Sequence, residues 1–239
     1  MSLSFYIIFH SKIYPTNTPD YPCFIYLAAN ELIKKDIDTN VLKHPIVNEY
    51  DVPGYNPMYQ MLKFCDNSII LNFPPPPTPF VGFCQYDMVI DPLKFQIVLD
   101  NIYNVNGAIG FYALPIDSIF DKLSKSEWNS ILDYYNSINN TSHSIDTLKD
   151  YPFFFMNTYI LPSWFYTRLQ QNLKKMLPLV LKLLQYNMKH IAGTLERLNA
   201  LLIVCGIVEK AINFSISDAI TDNRSQQIPD EFTSLPDYN

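Results

Sequence analysis

The sequence predicts an α/β fold, a central and mostly parallel sheet flanked by helices, with a helical C-terminal part. Three observations lead there. Short runs of β-branched and aromatic residues alternate along the chain with stretches whose apolar residues recur at helical spacing. One of those runs, Phe80-Val81-Gly82-Phe83-Cys84-Gln85-Tyr86-Asp87-Met88, is apolar throughout until it stops on a polar triplet, as a buried central strand does at a sheet edge. Beyond residue 162 the pattern is helical almost to residue 210. In open α/β sheets ligands bind outside the carboxyl ends of the strands, which makes Gln85, Tyr86 and above all Asp87 the first candidates for function.

Taken in order, Phe5-Tyr6-Ile7-Ile8-Phe9 reads as the first strand, and His10 and Lys12 follow it at the edge where a nucleotide would lie. Residues 23–35 place Phe24, Leu27, Ala28 and Leu32 at helical spacing. Residues 41–47 make a short second strand. The turn-dense stretch that follows reaches Pro57, suited to the first turn of a helix running to about Asp66 with Asn56 as its N-cap. The free amides of such a helix start can take an anion, so Tyr55 and Asn56 are candidates for a donor phosphate or base, although plain capping explains Asn56 equally. Residues 68–73 read as a strand leading into four consecutive prolines, 74–77, which are necessarily extended.

After Asp87, residues 93–103 have helical periodicity and residues 107–114 read as a strand. Pro115 opens a short helix, and Ser126 caps another that ends near residue 138. Residues 151–157 form a last buried strand with a polar end at Asn157. A long helix then runs from Pro162 to about residue 185, kinked at Pro178, and a final helix spans about 191–210. That helix holds Glu196 among leucines, where a carboxylate is costly unless paired or functional. Its neighbour Arg197 points another way, so Glu196 either needs a different partner or sits on a solvated face. Residues 213–239 are polar and Pro-interrupted, a loosely packed tail behind a domain of residues 1–212.

Composition narrows the function. With 17 basic against 23 acidic residues the net charge is −6, which opposes a polyanionic partner and argues against nucleic acid binding. Hydrophobic residues make up 48% of the chain, including 17 Tyr and 16 Phe that suit cores or flat sugar-sized surfaces. The four cysteines lie far apart and match no zinc spacing, so they read as reduced, buried thiols. No signal peptide or transmembrane segment is evident, which predicts a cytoplasmic protein. There is no GxGxxG, Walker A, GxSxG or HExxH, and the corresponding dehydrogenase, kinase, hydrolase and metalloprotease readings lose their support.

Tyr55-Asn56-Pro57-Met58-Tyr59-Gln60-Met61-Leu62, the 80–88 strand, Phe155-Met156-Asn157 and Ala192-Gly193-Thr194-Leu195-Glu196-Arg197-Leu198 together resemble glycosyltransferases of the GT-A type. The likeness is to the small exopolysaccharide and capsule transferases and to similar enzymes of large DNA viruses; if the protein is viral, the cytoplasm is that of its host. It implies a nucleotide-sugar donor, a glycan acceptor and a divalent cation, Mn²⁺ or Mg²⁺, held at Asp87 with help from Asp91. The family's strand normally ends Asp-x-Asp; here Gln85 replaces the first carboxylate. The likeness also places His10 and Lys12 beside the nucleotide and casts Glu196 as the general base of an inverting transfer. Two other readings fit the same residues: a non-catalytic nucleotide- or glycan-binding module, to which Gln85 points, and a structural protein using its aromatic and proline-rich surface.

Overall fold

Seven consecutive buried residues, Leu3–Phe9, form strand β1, and burial on both faces is what its unbroken apolar run dictates. The computed structural model describes residues 1–9, 21–30, 47–49, 62–86, 88–184 and 190–222. In it β1 lies at the heart of a seven-stranded sheet, parallel to Phe24–Ala28 (β2) on one side and to Phe80–Gln85 (β4) on the other. Val47–Glu49 (β3) adds in parallel beyond β2. Beyond β4 comes Tyr159–Pro162 (β9), antiparallel both to β4 and to Gly107–Gly110 (β6), and Asn213–Ile216 (β10) closes the order as β10-β6-β9-β4-β1-β2-β3. Two small pairs accompany the sheet: Val89–Ile90 (β5) with Ile220–Thr221 (β11), and Ala113–Leu114 (β7) with Phe153–Phe154 (β8).

Alternation along the strands divides the core in two. Phe5, Ile7, Phe9 and Cys84 meet Phe95, Val98 and Ile102 of helix α2, Pro92–Val105. Tyr6, Ile8, Val81 and Phe83 face the larger cluster, built from helices α1 (Leu62–Asn72), α3 (Lys125–Asn139), α4 (Ile145–Leu148), α5 (Ser163–Leu183) and α6 (Ile191–Val208). Helix α6 is apolar almost all round and is the core helix of this layer. It is long and apolar enough to cross a membrane, yet most of it is buried inside the molecule. Gly82 in β4 leaves room for the Phe5 ring, whose Cδ2 would lie 2.3 Å from an added Cβ.

Several expectations change. Residues 24–28 are strand rather than helix: Phe24, Ile25 and Tyr26 suit a pleated surface, and pairing with β1 and β3 outweighs the helical spacing of their neighbours. Residues 68–72 are helix rather than strand, because Ile69 and Ile70 close the helical layer against α5 and α6. The segment 151–157 is not the last strand. Only Phe153 and Phe154 pair there, and β9, β10 and β11 follow. The cap of α3 is Ser124, whose hydroxyl accepts from the Glu127 amide while Glu127 Oε2 accepts from the Ser124 amide, not Ser126. Residues 213–222 are no loose tail: β10 is a sheet strand, and Ala219 and Ile220 are buried.

Candidate functional site

The parallel strands end along one edge, where β1 stops at Phe9, β2 at Ala28 and β4 at Gln85. The β4–β9 ladder ends at Phe83 opposite Tyr159, so Gln85 and Asn157 leave the sheet at the same edge. By alternation Gln85 shares a face with Val81 and Phe83, the face covered by the helical layer with α6. There three buried asparagines from three elements meet. Asn199 of α6 donates to the side-chain oxygens of Asn157 at 2.9 Å and of Asn67 in α1 at 3.2 Å. Asn157 donates to Asn67 at 3.2 Å, and Asn67 donates to the carbonyl of Ala192 at 3.0 Å.

This triad pins a turn of unusual geometry. Met156 and Asn157 both adopt left-handed backbone, with φ of 61° and 47°. For Asn that is tolerated; for Met it is strain, which persists only where the surroundings over-determine it. Here they do: Phe155 donates its amide to Tyr112, Thr158 donates its amide to the Phe155 carbonyl, and the Thr158 hydroxyl donates to the Met156 carbonyl.

One helical turn before Asn199, Glu196 is buried, its side chain only 7% exposed. Arg197 does reach it, contrary to the sequence reading, because the long side chain folds back along the helix. The contact is loose, Nη1 to Oε1 at 3.9 Å, and the guanidinium is committed elsewhere, to the Asp121 carboxylate at 2.6 and 2.7 Å and to the Gly193 carbonyl at 2.8 Å. Among the described residues no hydrogen bond satisfies the Glu196 carboxylate. Nearby, burial first and the Glu196 charge second raise the ionisation of the Tyr159 phenol above its ordinary value. The Tyr159 phenol therefore keeps its proton at neutral pH.

The remaining candidates fall otherwise. Asp91 lies on the opposite side of the sheet, where its Oδ1 caps α2 by accepting the amides of Leu93 and Lys94. Tyr86 is half-buried against the α2-side core. His10, Lys12, Tyr55, Asn56 and Asp87 lie outside the described residues. No group of three or more His, Cys, Asp or Glu side chains suited to a metal occurs among the described residues. The described residues thus bring Gln85, Asn157 and Glu196 to one sheet face and leave Asp91 apart from them. Asn67, Tyr159 and Asn199 were not anticipated; of the three, Asn199 carried a signal, a lone polar residue inside the apolar run Leu198-Asn199-Ala200-Leu201.

No protein-family model and no curated protein sequence matches the chain. Among solved structures it is similar to the apo WbbM bifunctional glycosyltransferase, with a TM-score of 0.59 at 10% identity over 91% of this chain and 45% of that one. It is also similar to the mannosyltransferase Ktr4p from S. cerevisiae, with a TM-score of 0.42 at 14% identity over 84% of this chain and 65% of that one. The chain spans less than two thirds of either structure. The likeness to WbbM shows a fold shared over 91% of this chain.

Proposed function

We propose that the chain is a glycosyltransferase that moves a sugar from a nucleotide-diphosphate donor to a hydroxyl of a glycan acceptor, with Glu196 as general base. The observation that supports this reading most is the Glu196 carboxylate itself. It is buried on the core helix α6, has no hydrogen bond among the described residues, and meets its only described cation at 3.9 Å. A charge left so poorly compensated is costly to the fold, and such costs concentrate at functional sites. The acceptor hydroxyl gives its proton to Glu196 as its oxygen bonds to the anomeric carbon. The bond from that carbon to the diphosphate oxygen breaks with its electron pair, and the nucleoside diphosphate leaves. Direct displacement of this kind inverts the anomeric centre.

A divalent cation belongs to the same proposal only through Asp87. The described residues make no cation site of their own: Gln85 offers an amide where a carboxylate would bind, and Asp91 is engaged as a helix cap. The mechanism therefore routes no step through a metal. Gln85 also favours a second reading, a non-catalytic module that binds a nucleotide sugar or glycan without turning it over.

Turnover decides between them. With a panel of nucleotide sugars and saccharide acceptors, the wild-type protein should release nucleoside diphosphate. Glu196→Gln, which keeps the shape and removes the base, should retain donor binding and lose about 10²–10⁴ in kcat. Unchanged turnover in that variant would remove Glu196 from the mechanism; donor-induced stabilisation without turnover in the wild type would establish the binding module. The same thermal shifts repeated with EDTA and with Mn²⁺ measure the metal dependence.

A further inference from the structure

Helix α5 turns one face to the core and another to solvent. Phe165, Leu169, Leu173, Met176 and Val180 are buried in the helical layer, whereas Trp164, Gln171, Lys175, Pro178 and Lys182 are exposed. The last four follow Trp164 by 7, 11, 14 and 18 residues. At 3.6 residues per turn those offsets are about two, three, four and five turns, so the five residues make one outward stripe about 27 Å long. Lys174 and Leu181 are exposed along one side of it.

The stripe carries charge of one sign. Between Asp150 and Glu196 the chain has no acidic residue, although acids outnumber bases by 23 to 17 overall. The basic side chains of α5 are Arg168, Lys174, Lys175 and Lys182. Arg168 is engaged by Glu209, but the three lysine side chains have no hydrogen bond or ion pair among the described residues. A merely solvated helix face mixes both signs, as α3 does with Lys125, Glu127 and Asp133. Two large apolar side chains share the α5 face: Trp164 is 55% exposed and Leu181 38%. An indole is favoured at the depth of lipid headgroups, and a lysine stem lies along apolar surface while its ammonium group reaches a phosphate. Unpaired lysines combined with Trp and Leu on one side of an amphipathic helix are the complement of an anionic lipid surface. A nucleic acid would pair with the lysines but offer Leu181 no apolar medium.

We propose that the outer face of α5 is a membrane-docking surface. Lys174, Lys175 and Lys182 meet the phosphates of an anionic leaflet, and Trp164 and Leu181 enter the headgroup region. Binding is peripheral and reversible, since three lysines and two apolar side chains fall far short of what a spanning helix buries. The inference goes beyond the transferase reading and does not depend on it, because docking needs neither donor nor turnover.

The molecule contains its own reporter. Of its two tryptophans Trp128 is buried, at 0% exposure, so a change in indole fluorescence on mixing with liposomes reports Trp164. The probes are liposomes of phosphatidylcholine alone and of phosphatidylcholine mixed with phosphatidylglycerol, each made with and without brominated acyl chains. The wild type should sediment with the mixed liposomes and not with phosphatidylcholine alone. Its emission should shift to the blue and be quenched by the brominated lipid, and salt at about 1 M should release it. The triple variant Lys174→Gln, Lys175→Gln, Lys182→Gln should keep the wild-type Tm, because these side chains are exposed, and bind about 10²-fold more weakly. Trp164→Ser should also weaken binding and remove the quenching. No sedimentation with the mixed liposomes, an affinity unchanged in the triple variant, or sedimentation without quenching would each overturn the proposal. So would tighter binding to an RNA or DNA oligonucleotide than to the mixed liposomes, which would assign the lysines to nucleic acid. If the triple variant loses its fold, bromolipid quenching of the wild type decides the matter by itself.

Discussion

At the scale of single residues, polar side chains are placed where only a specific geometry can tolerate them. Asn157 serves twice, as a hydrogen-bonding member of the buried triad and as a residue able to hold φ at 47°. Asn157→Ala would strip both functions, leaving one Asn199 N–H without its acceptor and forcing alanine into left-handed backbone. A loss of about 2–4 kcal/mol in urea unfolding is expected from the two effects together; a loss under about 0.5 kcal/mol would show that the turn is held by its main-chain bonds alone. That Asn157 would end a strand-like segment was legible from its place after Phe153-Phe154-Phe155. That it joins Asn67 and Asn199 was not, because the three lie 90 and 42 residues apart in sequence. The burial of Glu196 was legible for the converse reason: a carboxylate inside an apolar helix stands out against its local pattern. Its partner Arg197 was misjudged because backbone spacing says little about where a long, flexible guanidinium ends.

Among the elements, close packing around α6 decides more than propensity does. Gly206 near its C-terminal end touches the Phe165 ring of α5: a Cβ there would lie 2.4 Å from Cζ and 2.5 Å from Cε2. Phe165 is itself buried and has no vacant space to move into. Helix propensity alone would make Gly206→Ala stabilising by up to about 1 kcal/mol. Overpacking should reverse the sign and cost about 1–3 kcal/mol, read from the midpoint of chemical denaturation. A stabilised variant would refute the tight α5–α6 approach. The same competition explains β2 and the second half of α1, where local spacing suggested one element and the neighbours imposed the other.

For the molecule as a whole, Glu209 ties the helical layer together just past α6. Its carboxylate accepts from Tyr135 of α3 at 2.7 Å, pairs with His143 Nε2 at 3.1 Å and accepts from Arg168 of α5. Burial pushes this carboxyl up, but the hydrogen bonds from Tyr135, His143 and Arg168 outweigh it and hold it below the ordinary value of 4.5. A depressed carboxyl stabilises above its unfolded value, and the contribution fades as the pH falls through its folded one. The wild-type Tm should therefore drop more steeply below about pH 4.5 than that of Glu209→Gln, and the two curves should differ by a constant at neutral pH; parallel curves down to about pH 3 would show that the network is electrostatically idle. Truncation after residue 212 should lower the Tm by several degrees, since it removes β10 from the sheet and the buried Ala219 and Ile220 from the α2-side core; an unchanged Tm would restore the boundary read from composition. What the sequence determined by itself was the class of fold, the β1 and β4 strands, the helices after residue 162 and the anomaly at Glu196, because hydrophobic periodicity and a buried charge are local signals. Only the tertiary structure decided that β9 runs antiparallel inside the sheet, that residues 213–222 belong to the fold, and that Asn67, Asn157 and Asn199 meet. Those facts are contacts between distant segments, and no local pattern encodes which face of one element will meet which face of another.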